Sequence, residues 1–247
     1  MDNTIQFSLL GVGTAFSDSA MAKSYGFSGC DMNSQLASPR LRRRMSSATR
    51  LALAAGERAC ADANIDVSSV PSVFASVAGE IKVTDTLCRN IATRDFPLSP
   101  TQFHNSVHNT AAGYWSMVTK NRHAAQALGA GEDTWVMGLL DCYCQLQMTT
   151  DKVLLICYEE TVPEPLLMGE QIADCAVAML LSMPSDKKRS VRIYQEDHED
   201  VGGVIKSYSP LSAALDVAKA VYHQQNESKL AISSVTEGWY AEVLHDE

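Results

Sequence analysis

An uninterrupted apolar run of strand length, Lys152–Tyr158 (K-V-L-L-I-C-Y), constrains the fold of this chain more than any other feature. Strands with one wet face alternate between apolar and polar residues, whereas a continuous apolar run is typical of a strand buried on both faces. A second such run lies within Ile172–Met183. The two runs predict a sheet whose centre is covered by other layers on both sides.

Helical segments rich in small and apolar residues separate the predicted strands. Ser46 or Ser47 is expected to cap a helix that continues to about Asn64 and carries seven alanines, and another apolar helix is predicted at Asp133–Met148. Helices that are apolar around most of their circumference are buried between layers. This alternation indicates an α/β fold with a mainly parallel sheet, as a single domain over residues 1–247.

The remaining elements are predicted from shorter signals. Further strands are expected at Ile5–Val12, at Val73–Val77, at Ser190–Gln195 as an edge strand, and at Leu230–Val235 with Trp239–Leu244 as a hairpin. Further helices are expected at Thr84–Ala92, from about His104 to Lys120, and at Pro210–Gln224. Ala15–Ser38 and Ala125–Gly131 carry no regular pattern and are predicted to be irregular.

The charge balance excludes several classes of partner. The formal net charge of −9 repels the phosphates of nucleic acids and of anionic membranes. The chain starts with acidic rather than basic residues, and no apolar run approaches the roughly 20 residues of a membrane span. We therefore expect a cytoplasmic protein that binds no nucleic acid and does not span a membrane.

Neither the cysteines nor the glycines indicate a metal or a cofactor. The seven cysteines include no C-x-x-C pair, and Cys142 and Cys144 have no nearby histidine, so we expect seven thiols that pack as small apolar side chains and no metal site. The turn Gly11-Val12-Gly13 lacks the third glycine and the following helix of a dinucleotide fingerprint. No P-loop or G-x-S-x-G elbow is present. We expect no cofactor.

The most conspicuous polar cluster is Phe103–Asn109, in which His104 and His108 would project from one face of a helix. The residues between them are Asn, Ser and Val, no third metal ligand is suggested, and a Ser–His pair would lack an orienting acid. Hydrogen-bonding roles at a helix junction or an interface are therefore expected. Acidic pairs such as Glu159-Glu160 are expected to form a solvated face, as are Glu196-Asp197 and Glu199-Asp200.

A basic cluster, Arg40 with Arg42–Arg44, precedes the alanine-rich helix. Two interpretations are open at this point. The arginines contact a phosphate-bearing partner such as an acyl carrier, or they form surface ion pairs in an acidic protein.

Several segments taken together resemble the N-terminal half of a β-ketoacyl synthase, of the thiolase superfamily. Arg44-Met45 with Thr49–Ala55 and Ala61–Ile65 resembles the family's early arginine-led helix. Leu98–Pro100 through Val107–Gly113 resembles the segment ahead of the nucleophile, and Val153–Ile156 followed by Glu160 resembles the strand that ends in G-G-x-E. The resemblance covers about residues 5–182. It implies a thiolase-like fold, with a single αβα unit, a mainly parallel mixed sheet and a divergent extension over about residues 190–247.

The resemblance also shows what this chain lacks. Family members carry a nucleophilic cysteine at the N-terminus of a buried helix, where the helix dipole lowers the pKa of the thiol. The corresponding stretch, Ala127–Thr134, holds no cysteine, and ungapped counting places the lost nucleophile at Glu132. Two catalytic histidines belong to a C-terminal half that these residues do not include. We therefore expect no condensation by this subunit alone.

These departures are similar to those of chain-length factors, the silent partners of active ketosynthases. The signature H-N-x-A-A-G-Y-W at His108–Trp115 is similar to the short chain-length factors of aryl polyene biosynthesis. The resemblance implies a heterodimer, or a dimer of heterodimers, with a catalytic β-ketoacyl-ACP synthase, and indirect contact with acyl carrier protein. It assigns the partner interface and acyl tunnel to Thr101, Gln102, Phe103, His104, Val107, His108, Asn109, Tyr114 and Trp115.

Three alternatives remain open. Core packing fits Tyr114 and Trp115 as well as an interface does. The chain could instead be a malonyl-carrier decarboxylase that uses Glu132, although a carboxylate at that position should repel a developing enolate. It could also be a stand-alone acyl-binding protein.

Overall fold

The computed structural model describes residues 4–28, 30–166, 174–185, 189–195, 211–232 and 238–245. Within them, eight strands form one sheet in the order β3-β2-β4-β5-β1-β6-β8-β7. The strands are β1 (Ile5–Phe16), β2 (Ser72–Ala75), β3 (Ala125–Leu128), β4 (Lys152–Glu159), β5 (Cys175–Ser182), β6 (Arg189–Gln195), β7 (Glu227–Ala231) and β8 (Trp239–His245). The α-helices are α1 (Ser19–Ser24), α2 (Pro39–Arg42), α3 (Ser47–Asp62), α4 (Ile81–Thr93), α5 (Pro100–Asn105), α6 (Thr110–Thr119), α7 (Thr134–Met148) and α8 (Ser212–Tyr222).

Side chains of the central strands alternate between two separate cores. On β4, Val153, Leu155 and Cys157 belong to the core under α7 and α8, whereas Leu154, Ile156 and Tyr158 belong to the core under α3 and α6. The side chains of β5 are divided in the same way. The predicted α/β class and the αβα layering are therefore confirmed, and the continuous apolar runs reflect burial on both faces.

The sheet is mixed, as predicted, but it is not mainly parallel. Among the described strands β2 pairs in parallel with β3 and β4, while the other five pairings are antiparallel. Parallel neighbours need long crossover connections. The helices between β2 and β4 provide such connections for β2, β3 and β4. The strand β1 lies between β5 and β6 and is antiparallel to both.

Gly11 and Gly13 lie within β1 rather than in the turn predicted after the first strand, and they serve packing rather than ligand binding. A bulge between Leu9 and Gly11 reverses the alternation of β1, so that both glycines face α3. A β-carbon at Gly11 would clash with the carbonyl oxygen of Ala59, and one at Gly13 with the carbonyl oxygen of Ala55. The absence of side chains therefore allows α3 to contact the backbone of β1 directly.

Four of the predictions are corrected. Ala15–Ser38, predicted to be irregular, contains the end of β1 and the helix α1. The helix expected from His104 to Lys120 is interrupted, because α5 ends at Asn105 and α6 begins at Thr110. Residues 125–128, predicted to be irregular, form β3, since pairing with β2 overrides their low strand propensity. Ser190–Gln195 is not an edge strand, because β6 lies between β1 and β8. The predicted hairpin is present as β7 and β8.

Parts of other predictions lie outside the described residues, namely 172–173, Pro210 and 233–235. All seven cysteines are free thiols, as expected; four are buried, but Cys88 and Cys144 are exposed. No helix in the described part of the chain is long and apolar enough to cross a membrane. The described residues also contain no group of three or more His, Cys, Asp or Glu placed to hold a metal ion.

Candidate functional site

The carboxyl ends of the three parallel strands meet at one end of the sheet. β2 ends at Ala75, β3 at Leu128 and β4 at Glu159, and the turns after β2 and β3 lead toward α4 and α7. Ligands and substrates of open α/β sheets bind outside the carboxyl ends of the strands. This end of the sheet is therefore the candidate functional site.

Three buried carboxyl groups lie at this end. Glu80 and Glu160 are 1% exposed and Glu159 is 3% exposed. The prediction of a solvated face at Glu159-Glu160 is therefore wrong, because β4 carries both residues into the covered end of the sheet, where hydrogen bonds replace water. Glu196-Asp197 and Glu199-Asp200 lie outside the described residues.

Glu80 and Glu160 tie the start of α3 to the start of α4. The hydroxyl of Thr49 donates to Glu80 Oε1 over 2.6 Å, and the hydroxyl of Ser47 donates to Glu160 Oε2 over 2.6 Å. The amide of Lys82 donates to Glu160 Oε1 over 3.0 Å. Glu80 Oε2 is buried and has no hydrogen-bond partner within the described part of the chain.

Glu159 holds the turn that follows β2. The amide of Val77 donates to the Glu159 carboxyl group, and the amide of Gly79 donates to Ser76 Oγ over 2.8 Å. Gly79 adopts a φ of +57°, which glycine tolerates better than other residues. The buried carboxyl group of Glu159 therefore fixes the backbone of this turn by accepting one of its amides.

Burial sets the protonation of two of these groups. Burial raises the pKa of Glu80 to about 7, although hydrogen bonds from Ser46 and Thr49 oppose the rise. Burial also raises the pKa of Glu159 to about 7, although hydrogen bonds from the turn after β2 oppose it. The cation at this site, Lys82, lies 3.9 Å from Glu160 and 2.8 Å from Asp174.

His108 joins the turn between α5 and α6 to the ends of β2 and β3. Its Nε2–H donates to the carbonyl oxygen of Ser76 over 2.9 Å. A β-carbon at Gly129 would lie 2.7 Å from the same carbonyl oxygen and 3.2 Å from His108 Nε2. Because α5 ends at Asn105, His104 and His108 do not share a helix face, and that expectation is wrong.

The segment assigned to the acyl tunnel begins with a well-formed helix start. The amide of Gln102 donates to Ser99 Oγ over 3.4 Å, and Pro100 occupies the first turn of α5. Thr101 and Gln102 are half-buried, whereas Phe103 is 68% exposed. An aromatic ring this exposed has most of its surface left for another molecule to cover.

Exposed large apolar side chains are more frequent in the segment that contains this helix than elsewhere in the described chain. Nine are found among the described residues, and six of them lie between residues 77 and 117. We call these six the apolar surface: Val77, Ile91, Phe96, Phe103, Val107 and Met117. Large apolar side chains left exposed in this way are candidates for contact with another molecule.

Tyr114 and Trp115 do not belong to this surface. Trp115 is fully buried and Tyr114 is 4% exposed, both in the core under α3 and α6. The hydroxyl of Tyr114 donates to Asn105 Oδ1 over 3.2 Å. Core packing is thus the role in which the structure places them. His104 and Asn109 are exposed, so both remain available for contact with a partner.

β3 forms one edge of the sheet beside α6. Ser72 donates its amide to the carbonyl oxygen of Ala124, and Ser76 donates its amide to that of Leu128. The backbone groups of Ala125 and Ala127 therefore point away from β2. Ala125 and Gln126 are exposed and uncharged, so this edge carries no charged side chain that would oppose pairing with another strand.

Glu132 lies in a 3₁₀ turn, Gly131–Asp133, directly before α7, and it is exposed. The Thr134 hydroxyl donates to the carbonyl oxygen of Gly131 over 2.6 Å and accepts from the amide of Ala130 over 2.9 Å. Cys142 is on α7, about 12 Å along the helix from Thr134 at 1.5 Å per residue. It is fully buried, and burial raises the pKa of its thiol well above the ordinary value. It has neither the position nor the acidity of a nucleophile.

The basic cluster lies at the start of α3, close to α5. Arg40, Arg43 and Arg44 are exposed and Arg42 is half-buried. Within the parts of the chain that the structure describes, none of the four guanidinium groups forms an ion pair. The carbonyl oxygen of Arg44 accepts from the side-chain amide Nδ2 of Asn105 over 2.7 Å, which links the cluster to the end of α5.

A family model described as the N-terminal domain of β-ketoacyl synthases matches residues 30–240. The chain belongs to this family. The match continues well beyond residue 182, where the resemblance recognised from the sequence ended. A search of the curated proteins found no match to this ketosynthase-like chain.

Solved structures confirm the thiolase-like fold. The ketosynthase ApeO in complex with its chain length factor ApeC, from Xenorhabdus doucetiae, matches with a TM-score of 0.73 at 19% identity, over 98% of this chain and 100% of that chain. The ishigamide ketosynthase/chain length factor matches with a TM-score of 0.57 at 16% identity, over 86% and 72%. The AntDE:AntF complex, a type II acyl-carrier protein with its ketosynthase, matches with a TM-score of 0.55 at 13% identity, over 74% and 64%.

Glu80 and the turn after β2 are the parts of this site that the sequence analysis did not identify. Glu80 follows Ala78-Gly79, the kind of small-residue turn that often ends a strand. The pair Gly79-Glu80 comes shortly after the predicted strand Val73–Val77, and this position at a strand end is the one sequence signal that could have pointed to Glu80. Its burial depends on α3 and on the end of β4, which are distant in sequence.

Proposed function

We propose that this protein is a non-catalytic ketosynthase partner, a chain-length factor that binds an active β-ketoacyl-ACP synthase and shapes its acyl tunnel. The observation that carries the proposal is the apolar surface, which includes Phe103 on α5 and Val107 in the turn after it, together with the edge strand β3. An apolar surface of this kind is costly in a monomer and stabilising in a complex.

The second support is the absence of a nucleophile where the family has one. No cysteine lies in Ala127–Thr134, the stretch that leads into α7, and the position counted as equivalent is occupied by the exposed Glu132. A carboxylate there cannot form the acyl thioester through which a ketosynthase acts. The partner ketosynthase would supply the nucleophile, and this chain would supply structure.

The acyl tunnel assignment centres on Phe103. Its ring extends from α5 with two-thirds of its surface exposed, and the flanking Thr101 and Gln102 are half-buried. In the complex, these side chains would close the far end of the partner's tunnel. The resemblance of His108–Trp115 to short chain-length factors of aryl polyene biosynthesis favours an aryl polyene product over other acyl chains.

The basic cluster is the proposed docking site for acyl carrier protein. Its four arginines have no ion-pair partner among the described residues, in a chain whose net charge is −9. Phosphate and carboxylate groups bind arginine strongly because the guanidinium fork can donate two hydrogen bonds. We propose that these arginines attract the carrier while the partner performs the chemistry.

Co-expression with a ketosynthase from the same genome tests the proposal. We expect a complex of the two chains by size-exclusion chromatography, with condensation activity only when both are present and none when the partner's cysteine is changed to Ala. A stable lone protein that elongates an acyl substrate would overturn it.

Phe103→Ala tests the tunnel role in that complex. Removal of the ring lengthens the tunnel, so we expect longer products, measured by mass spectrometry of carrier-bound chains, from a complex of unchanged stoichiometry. Met148→Ala is the matched control, because Met148 is 82% exposed at the opposite end of α7. Products of unchanged length from Phe103→Ala would contradict the assignment.

A further inference from the structure

The buried carboxyl groups at the candidate site hold the backbone from which the apolar surface extends. Glu159 accepts the amide of Val77, whose side chain is 40% exposed within that surface. Glu160 accepts the amide of Lys82 in the first turn of α4, and α4 carries Ile91. Contact between the apolar surface and a partner therefore depends on a turn held by carboxyl groups.

The same network reaches α5 from the other side. The carbonyl oxygen of Ser76, in the turn that Glu159 supports, accepts from His108 Nε2 over 2.9 Å. His108 follows Val107, another member of the apolar surface. The hydroxyl of Tyr158, one residue before Glu159, lies 3.4 Å from the carbonyl oxygen of His108. Movement of the turn would shift both parts of the surface together.

The described residues do not provide a cation to pair with each of the three buried carboxyl groups. Lys82 forms its closest ion pair, at 2.8 Å, with Asp174, and it lies 3.9 Å from Glu160. Among the described residues, no cation lies within 4 Å of the carboxyl group of Glu80 or Glu159. An unpaired carboxylate in a dry site is costly, whereas a neutral carboxyl group is tolerated.

The other titratable groups around these carboxyl groups add no positive charge nearby. The hydroxyl groups of Tyr114 and Tyr158 face Glu80, and the thiols of Cys157 and Cys175 face Glu159. The ring of His108 donates to a backbone oxygen rather than to a carboxylate. Arg44 faces Tyr114.

We propose that Glu80 and Glu159 form a proton-dependent clamp beneath the apolar surface, so that assembly with the partner ketosynthase weakens as the two carboxyl groups ionise. The proposal rests on the proposed function, since it concerns the same surface. In the protonated state the two buried carboxyl groups carry no uncompensated charge, so this end of the sheet is at its most stable. In the ionised state, burial of these carboxylates without a nearby cation is costly, which favours opening of this end of the sheet. Partner affinity then falls because fewer chains are competent to bind.

The direction of the pH dependence follows from the pKa values. Both groups have a folded-state pKa of about 7, above the ordinary value of 4.5. The folded chain therefore binds more protons than the unfolded chain between these values, and the contribution to stability is lost as pH rises through 7. We expect the dissociation constant of the complex to increase about tenfold from pH 6 to pH 8, equivalent to one pKa unit of difference between the free and assembled states.

The test measures the dissociation constant of the purified complex between pH 6 and pH 8, for the unmodified chain and for E80Q and E159Q. Glutamine keeps the shape of the side chain without a titratable proton, so each variant should flatten the profile. Asp151→Asn is the matched control, because Asp151 is exposed at the amino end of β4 and should leave the profile unchanged. A pH-independent dissociation constant, or an unchanged profile in both glutamine variants, would overturn the clamp.

A second measurement covers the case in which the variants do not fold. Carboxyl carbon chemical shifts in the unmodified protein should show two glutamates that titrate near pH 7, and ordinary values for all glutamates would reject the clamp. Failure to form any complex between pH 6 and pH 8 would instead count against the proposed function. The two failures are therefore distinguishable.

Discussion

Gly13 shows how much single residues determine the position of a helix in this fold. It faces α3 because of the bulge in β1, and a β-carbon there would meet the backbone of Ala55 and Ala59. In contrast, Gly113 on α6 is exposed, and a β-carbon there would meet no atom within 4 Å. The structure therefore has no room for a side chain at Gly13 but has room for one at Gly113.

We expect Gly13→Ala to lower the free energy of unfolding by about 2 kcal/mol or more, because the added methyl group forces α3 away from the sheet. Gly113→Ala should raise it by up to about 1 kcal/mol, since alanine favours the helix. Urea unfolding followed by circular dichroism measures both. Equal effects of the two changes would contradict this account of the packing.

Elements at the two sides of the candidate site differ in how they are held. α3 is fixed by close packing on β1 and by the hydroxyl groups of Ser47 and Thr49, which donate to buried carboxyl groups. Among the described strands, β3 pairs with β2 alone. The outward backbone groups of β3 make it the element best placed for pairing with a strand of the partner.

We expect Ala125→Pro to abolish or strongly weaken the complex with the partner ketosynthase, because proline removes an outward-pointing amide from β3. The lone chain should retain its circular dichroism spectrum, since that amide makes no bond to β2. Ala125→Val keeps the amide and serves as the control. A complex of normal affinity with the proline variant would show that the edge of β3 is not used.

At the scale of the whole molecule, charge and apolar surface are unevenly distributed. Four arginines without ion pairs among the described residues lie beside α5 in a chain of net charge −9. Six of the nine large exposed apolar side chains among the described residues lie between residues 77 and 117, the segment that contains α5. The surface near α5 therefore combines features that suit a ketosynthase and an acidic carrier.

Replacement of Arg40, Arg42 and Arg43 by Glu should reduce carrier-dependent turnover of the complex by about tenfold or more at low salt, through a higher KM for the acyl carrier. The difference should shrink as ionic strength rises, because salt screens exposed charges. Size-exclusion chromatography should show an unchanged complex. If turnover is unchanged at low salt, the arginines do not attract the carrier.

Local sequence determined much of this protein. The apolar runs of β4 and β5 predicted strands buried on both faces, and Ser46 predicted the start of α3, because periodicity and capping are local properties. Motifs spread along the chain also indicated the ketosynthase family, which the match over residues 30–240 confirms.

Only the tertiary structure decided which polar groups are buried and which strands are neighbours. Glu159-Glu160 resembles a solvated pair in sequence, yet donors from α3 and α4 enclose it. The weak segment at residues 125–128 becomes a strand only because β2 lies beside it. Likewise, Tyr114 and Trp115 are core residues while Phe103 is exposed. These outcomes depend on contacts between residues distant in sequence, which no local pattern encodes.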